Sequence, residues 1–246
     1  MVPLKYLEAV RGVLAHLETT QLAAVEQAAR LVADCLRGGG AVYCAAIGHS
    51  NEADFINRAG GLAAVQPFGH TFQVRSPISP ARAKRPRPEP VEEDLEAIRL
   101  AVRTSNLRAG DVMFVGSVSG RNRFPVELAL ACRAAGVKVV AFTSLAYTQR
   151  VTSAHPSGKR LFEVADVIID NGAPYGDAAV DVPGYPEKML PVSGAAMVVI
   201  GWLVWGRVME LTAAAGDPAS TFISVNRPDG QAWYDRAKAD YERKGY

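Results

Sequence analysis

The chain has 246 residues, a length that suits one large α/β domain and can bury a substantial core. Apolar residues make up 49% and charged residues 21%, the balance of a globular protein rather than a disordered or fibrous one. A formal net charge of +2 gives no electrostatic reason to expect nucleic acid, which asks for a clustered basic face.

The single basic cluster, Arg82-Ala83-Lys84-Arg85-Pro86-Arg87, is short and interrupted by proline, and reads as a solvated loop. The three cysteines, Cys35, Cys44 and Cys132, are odd in number, far apart and set among apolar residues. They read as reduced core thiols, which implies a reducing compartment and a cytoplasmic location. No Cys/His spacing suggests a metal site, and no cofactor is expected. Residues 1–11 mix charges with apolar positions and show no cleavage-type pattern.

In chain order, residues 6–36 carry apolar side chains at helical spacing (Leu14, Leu17, Leu22, Val25, Ala29, Val32) and read as two helices meeting near Glu18-Thr19-Thr20. Thr20 is the expected N-cap of the second, and Gly38-Gly39-Gly40 stops it. Residues 41–47 form a buried strand, broken by Gly48-His49-Ser50-Asn51. A helix toward Ala59 and a strand over 62–65 follow, then a proline-punctuated loop over 68–90 and a helix over 91–107.

The clearest unit comes next. Residues 111–116 are a strand and 117–122 a turn, with a helix starting near Pro125, ending at Ala135 and capped by Gly136. Residues 137–142 are the following strand, so the unit implies a parallel pair with a right-handed crossover. Residues 164–169 add a strand, 222–225 a late one, and 232–244 a charged terminal helix. The pattern predicts an α/β fold, a parallel sheet covered by helices on both faces. The chain is read as one domain: N-terminal helices over 1–37, an α/β core over 41–225 and a C-terminal tail helix over 228–246.

One stretch, residues 189–206, carries no charge and approaches membrane-spanning length. It contains Pro191, Ser193, Gly194, Gly201 and Gly206, and Arg207 and Glu210 continue its helical pattern. It is therefore read as a helix buried at the centre of the fold or in a homodimer, with no membrane partner.

Ligands of open parallel sheets bind beyond the carboxyl ends of the strands. Three such ends are rich in small polar residues: Gly48-His49-Ser50-Asn51, Ser117-Val118-Ser119-Gly120-Arg121-Asn122, and Thr143-Ser144. In the second, hydroxyls alternate, Gly120 permits close backbone approach and a helix begins at once. Backbone N–H groups and the helix dipole converge there, as a phosphate requires. The turn lacks the lysine of a Walker loop and the glycine spacing of a dinucleotide fingerprint, which disfavours a nucleotide-dependent oxidoreductase.

Ser117-Val118-Ser119-Gly120-Arg121-Asn122, followed by a helix and then Val139-Val140-Ala141-Phe142-Thr143-Ser144, resembles the SIS (sugar isomerase) domain family. Further segments support the likeness to a mostly uncharacterised subgroup: Arg58-Ala59-Gly60-Gly61-Leu62, His155 with Ser157-Gly158-Lys159-Arg160-Leu161, residues 166–171, Gly176-Asp177-Ala178, and Pro191-Val192-Ser193. The resemblance implies a flavodoxin-like parallel sheet, a phosphorylated sugar as ligand, frequent dimers, and Ser117, Ser119, Gly120 and Asn122 at the phosphate, with His49 or Ser50 on the first loop and Thr143 and Ser144 nearby. The first loop departs from the family's G-x-G-x-S, because an ungapped match anchored on Arg58-Ala59-Gly60-Gly61 sets Gly48 at the serine position.

Moving a proton between adjacent sugar carbons needs a base near carbon and an acid near oxygen. Asp54 or Glu52 is the expected base, with His155 supplying or relaying the acid in a loop shared with Lys159. The competing readings are a phosphosugar isomerase, a lyase or etherase, and a sensor that binds without chemistry.

Overall fold

The computed structural model describes residues 1–86 and 91–246. The last four residues of the expected 68–90 loop, including Arg87 of the basic cluster, lie outside the described residues.

Helices α1 (Val2–His16) and α2 (Leu22–Arg37) are joined by a π-helical turn, Leu17–Gln21, with no break between them. Thr20 does not cap a new helix. Its hydroxyl donates to the His16 carbonyl at 2.7 Å, and Thr19 donates to Ala15 at 2.7 Å, so both bond back along the existing helix.

Five strands build the sheet: β1 (Val42–Ile47), β2 (Val65–Pro67), β3 (Val112–Gly116), β4 (Lys138–Thr143) and β5 (Val167–Asp170). They are parallel throughout, in the order β2-β1-β3-β4-β5, which is the flavodoxin-like winding. Helices α3 (Glu93–Thr104) and α4 (Arg123–Ala134) cover one face; α2 and α6 (Ser193–Ala214) cover the other. Alternation along β3 serves both layers. Val112 and Phe114 pack with α2 and α6, while Met113 and Val115 pack with α3 and α4.

The register slips once, between Cys44 and Ile47, where β1 bulges against β3. A Cβ on Gly116 would lie 2.8 Å from Ile47 Cα, so only glycine permits this approach. The bulge sits at the switch point between β1 and β3, where it turns the end of β1 toward the end of β3.

Several expected elements differ. The helix expected toward Ala59 is a single 3-10 turn, Asn51–Asp54. Phe55 drops into the core between Trp202, Trp205 and Gly201, and Asn57 then turns at φ 50°, which no helix allows. The strand expected over 62–65 begins only at Val65, because Leu62 instead makes an antiparallel bridge to Thr221. That lone bridge also replaces the strand expected over 222–225. The 164–169 strand starts later, at Val167.

The uncharged stretch from Met189 is not one helix. Met189–Pro191 is β7, paired antiparallel with β6 (Ala178–Val180), and α6 begins at Ser193. Leu190 has φ 63° and Pro191 lacks an N–H, so a helix cannot pass through them. Among the described residues, α6 is the one helix long and apolar enough to cross a membrane, but here Met197, Ile200, Val204 and Trp205 bury against the sheet. Its far end is tied to α2 by the Arg207–Glu26 ion pair. The charged terminal helix is α7 (Gly230–Lys244), and a short α5 (Leu145–Thr148) follows β4.

Two glycines in α6 give opposite expectations. A Cβ at Gly201 would intrude on the ring of Phe55, which is fully buried and cannot withdraw, whereas one at Gly206 meets nothing within 4 Å. Gly201→Ala should destabilise by about 1–3 kcal/mol through overpacking, and Gly206→Ala should stabilise by up to about 1 kcal/mol through helix propensity. Urea denaturation of both variants checks this, and shifts of the same sign would contradict the packing described.

Candidate functional site

The carboxyl ends of β1 and β3 open a cleft of about 460 Å³. Its β3 wall is the 117–122 turn. Ser117 continues the ladder by donating its N–H to Phe142, and its Oγ accepts the N–H of Gly120 at 3.2 Å. Gly120 is left-handed at φ 59°, and a Cβ there would sit 2.6 Å from Thr148 Oγ1, so the turn needs glycine at this position. Asn122 occupies the N-cap position of α4, yet its side chain makes no capping bond. The amide of Asn122 and the hydroxyl of Ser119 both line the cleft and hold no hydrogen bond among the described residues. The first N–H groups of α4 have no intrahelical acceptor, and the helix dipole adds positive potential at the same point.

The turn is braced from behind. Thr143 and Ser144, both fully buried, do not reach the cleft: Thr143 Oγ1 donates to the Val118 carbonyl at 3.2 Å, and Ser144 Oγ donates to Ala173 at 2.6 Å. The loop over 153–161 clasps the turn's outer side, with Ala154 N–H donating to Arg121 O (2.9 Å) and Leu161 N–H to Gly120 O (2.7 Å).

The β1 wall is Gly48 and His49. Gly48, His49 and Ser50 have φ of 23°, 54° and 65°, three successive left-handed residues. For the two non-glycines that is a strained conformation, of the kind stored at functional loops. Ser50 faces solvent and does not line the cleft, so the serine of the first loop has no counterpart there.

The expected acid–base residues do not converge on this cleft. Glu52 is spent on its own loop, its Oε2 accepting Ile47 N–H at 2.8 Å. Asp54 accepts Trp202 Nε1–H at 2.9 Å and pairs with Arg58 at 2.6 Å. Lys159 is exposed on the 153–161 loop. His155, expected on an exposed loop, is buried, its Nε2 2.7 Å from Glu127 Oε2 on the covered face of α4. Burial alone would raise the Glu127 carboxyl; hydrogen bonds from Arg99 and His155 outweigh it and hold the group below the usual carboxylate range.

Two cleft residues with polar side chains, Tyr147 and Asp177, are not among the expected site residues. Tyr147 on α5 lines it, with its ring packed edge-on against Tyr175 at 4.8 Å. Asp177 closes the far side. Its Oδ1 accepts the N–H groups of Val192 (3.2 Å) and Ser193 (2.9 Å), and its Oδ2 accepts Ser193 Oγ–H at 2.6 Å. This carboxylate thus caps the 22-residue helix α6 from the adjoining hairpin. Gly176-Asp177 before a β6 strand and Ser193 opening α6 were the available signals, but nothing local joins residues sixteen positions apart.

Among the described residues no lysine or arginine lines the cleft, where neutral donors and one helix terminus are the groups that could hold an anion. A second hollow, about 580 Å³, lies at the amino ends of the strands. There Asp111 accepts Ala41 N–H (2.8 Å) and Arg108 N–H (2.7 Å), so its polar groups serve the chain itself.

A family model described as the SIS domain matches residues 5–144, a span holding β1, β3, α4 and β4. The chain belongs to the SIS domain family. Close relatives are UPF0309 proteins. One from Halalkalibacterium halodurans is 37% identical over 239 residues, covering 96% of both chains. One from Streptomyces coelicolor is 30% identical over 240 residues, covering 96% of this chain and 94% of that one. Among solved structures, phosphoheptose isomerase GmhA from Neisseria gonorrhoeae matches with a TM-score of 0.52 at 16% identity, over 80% of this chain and 93% of that one. The sugar isomerase domain of an RpiR transcription factor from Sphaerobacter thermophilus matches with a TM-score of 0.50 at 14% identity, over 98% of this chain and 96% of that one. Both show the same fold. In this SIS protein the serine turn and the first loop lie inside the matched span, and Tyr147 and Asp177 lie beyond it.

Proposed function

We propose that the cleft between β1 and β3 binds a phosphorylated sugar, with the phosphate on the 117–122 turn. The observation that carries this reading is the convergence of Ser119, Asn122 and the start of α4 at the sheet's switch point. The sugar would then lie toward His49, Tyr147 and Asp177, where aromatic and polar groups suit a ring with hydroxyls. A second reading, aldose–ketose isomerisation, draws on His49, whose imidazole stands in the cleft and is of a type that can accept and return a proton. The fold neighbours include an enzyme and a transcription factor, so fold does not choose between catalysis and sensing. The three cysteines are free and buried, with burial pushing Cys35 and Cys132 up to about 12, which fits inert thiols in a reducing compartment such as the cytoplasm.

Calorimetric titration with hexose and pentose phosphates, and with the unphosphorylated sugars, tests the binding. Ser119→Ala should weaken the phosphorylated ligands alone, by about 1–3 kcal/mol, or roughly 5- to 150-fold in Kd. Equal weakening of both series would make the turn merely structural. Incubation of the tightest ligand in D2O separates the two readings: deuterium entering at C1 or C2, and lost in His49→Gln with binding retained, marks an isomerase, and its absence marks a binding protein.

We further infer a homodimer through the outer faces of α2 and α6. Trp202 and Leu203 on α6 and Leu22 at the start of α2, the last 53% exposed, line a groove of about 380 Å³ that the single chain leaves uncovered. Light scattering at micromolar concentration should give twice the 26.3 kDa chain mass, and a monomer would contradict the interface.

A further inference from the structure

The His155 loop braces the outer side of the turn without lining the cleft, and it carries an arrangement that phosphosugar binding does not use. Ser157 donates its backbone N–H to His155 Nδ1 at 3.1 Å. That nitrogen therefore carries the lone pair, and the ring proton of the neutral imidazole sits on Nε2, facing Glu127 Oε2 at 2.7 Å. The Ser157 hydroxyl oxygen accepts the Lys159 N–H at 3.2 Å and lies 2.8 Å from His155 Nδ1, within reach to share that lone pair with the backbone N–H. The histidine and glutamate side chains are each 4% exposed, whereas Ser157 is open to solvent. Arg99 holds the back of the carboxylate at 2.6 Å.

We propose that Ser157 is a nucleophile, with His155 as its general base and Glu127 as the buried carboxylate behind it, and that this second centre accepts acyl groups from activated esters. Nucleophile, base and orienting acid are each within hydrogen-bond reach of the next, the arrangement that activates a serine. The frame is rigid. Ser153 accepts the His155 N–H at 3.0 Å and donates to the Lys159 carbonyl at 2.6 Å, closing the loop beneath the serine. Approach is unobstructed, because Gly158, at φ 71°, has open space where a side chain would project.

In the first step Ser157 Oγ attacks the ester carbonyl carbon and its proton passes to His155 Nδ1. The Oγ–C bond forms, the bond to the leaving alkoxide or phenoxide breaks, and that group takes the proton from Nδ1. The imidazolium formed in between faces the Glu127 carboxylate, which offsets its charge in a dry environment. Water then attacks the acyl-serine by the same route, its proton passing to Nδ1 and on to Ser157 Oγ, which releases the acid. With a fluorophosphonate, the P–F bond breaks instead, fluoride leaves, and the adduct on Ser157 persists.

The test is fluorophosphonate labelling of the full chain, read by intact mass and peptide mapping, alongside p-nitrophenyl acetate turnover. One adduct on Ser157 is expected, with none in Ser157→Ala, whose phosphosugar binding stays unchanged. Glu127→Gln and His155→Gln should slow labelling by about 100-fold, the scale of general-base assistance. Should either of those variants fold poorly, wild type against its own denatured form and against Ser157→Ala carries the same decision. Ser157 left unlabelled in the folded protein, or labelled no faster than in the denatured chain, overturns the proposal and leaves the cleft reading untouched.

Discussion

The site depends on a close approach of backbone to backbone. Gly116 at the end of β3 has no side chain, so the bulged end of β1 can settle against it at Ile47. Any other residue would push the two strands apart at the point where the winding reverses. The bulge then delivers Gly48 and His49 to one wall of the cleft and leaves the 117–122 turn as the other. Strand order makes a switch point there in any 2-1-3-4-5 sheet; this one contact decides what faces what across it.

The cleft's polarity is arranged by separating donors that hold the fold from donors that stay unpaired. The Thr143 hydroxyl and the amides of Ser144, Ala154 and Leu161 satisfy carbonyls of the turn and keep it in one conformation. Ser119 and Asn122 line the cleft and hold no side-chain hydrogen bond among the described residues, on a backbone that this bracing holds in place. Neutral donors on a fixed backbone give up little backbone entropy on binding an anion, and among the described residues no lysine or arginine lines the cleft to need desolvation. Asp177 adds a constraint from the opposite side, since the same carboxylate that lines the cleft also caps α6.

Local pattern and tertiary partnership divide what the sequence could reveal. The β3–turn–α4–β4 unit was legible because a buried apolar run, a Ser/Gly turn, a proline near the helix start and a glycine stop all point the same way within thirty residues. The segment after β1 was misread as a helix because nothing near Phe55 announces the glycine on α6 that receives its ring. His155 sits among serine, proline and glycine, a composition typical of surface loops; its burial comes from Glu127, 28 positions earlier on another element. Asp177 and the β6–β7 hairpin were obscured in the same way, as a helix cap supplied from a distant turn leaves no periodic trace. Acid–base candidates chosen by proximity in sequence to the first loop, Glu52 and Asp54, were already engaged by Ile47, Trp202 and Arg58.

Phosphate binding at the turn is read from the backbone amide spectrum of the isotope-labelled protein during titration with a hexose phosphate and with the same sugar unphosphorylated. The amides of Ser119, Gly120, Asn122 and Phe124 should shift with the phosphorylated ligand and stay in place with the bare sugar. Shifts confined to the hollow around Gly38, Ala41 and Asp111, or a turn that does not respond to any phosphorylated sugar, would contradict it.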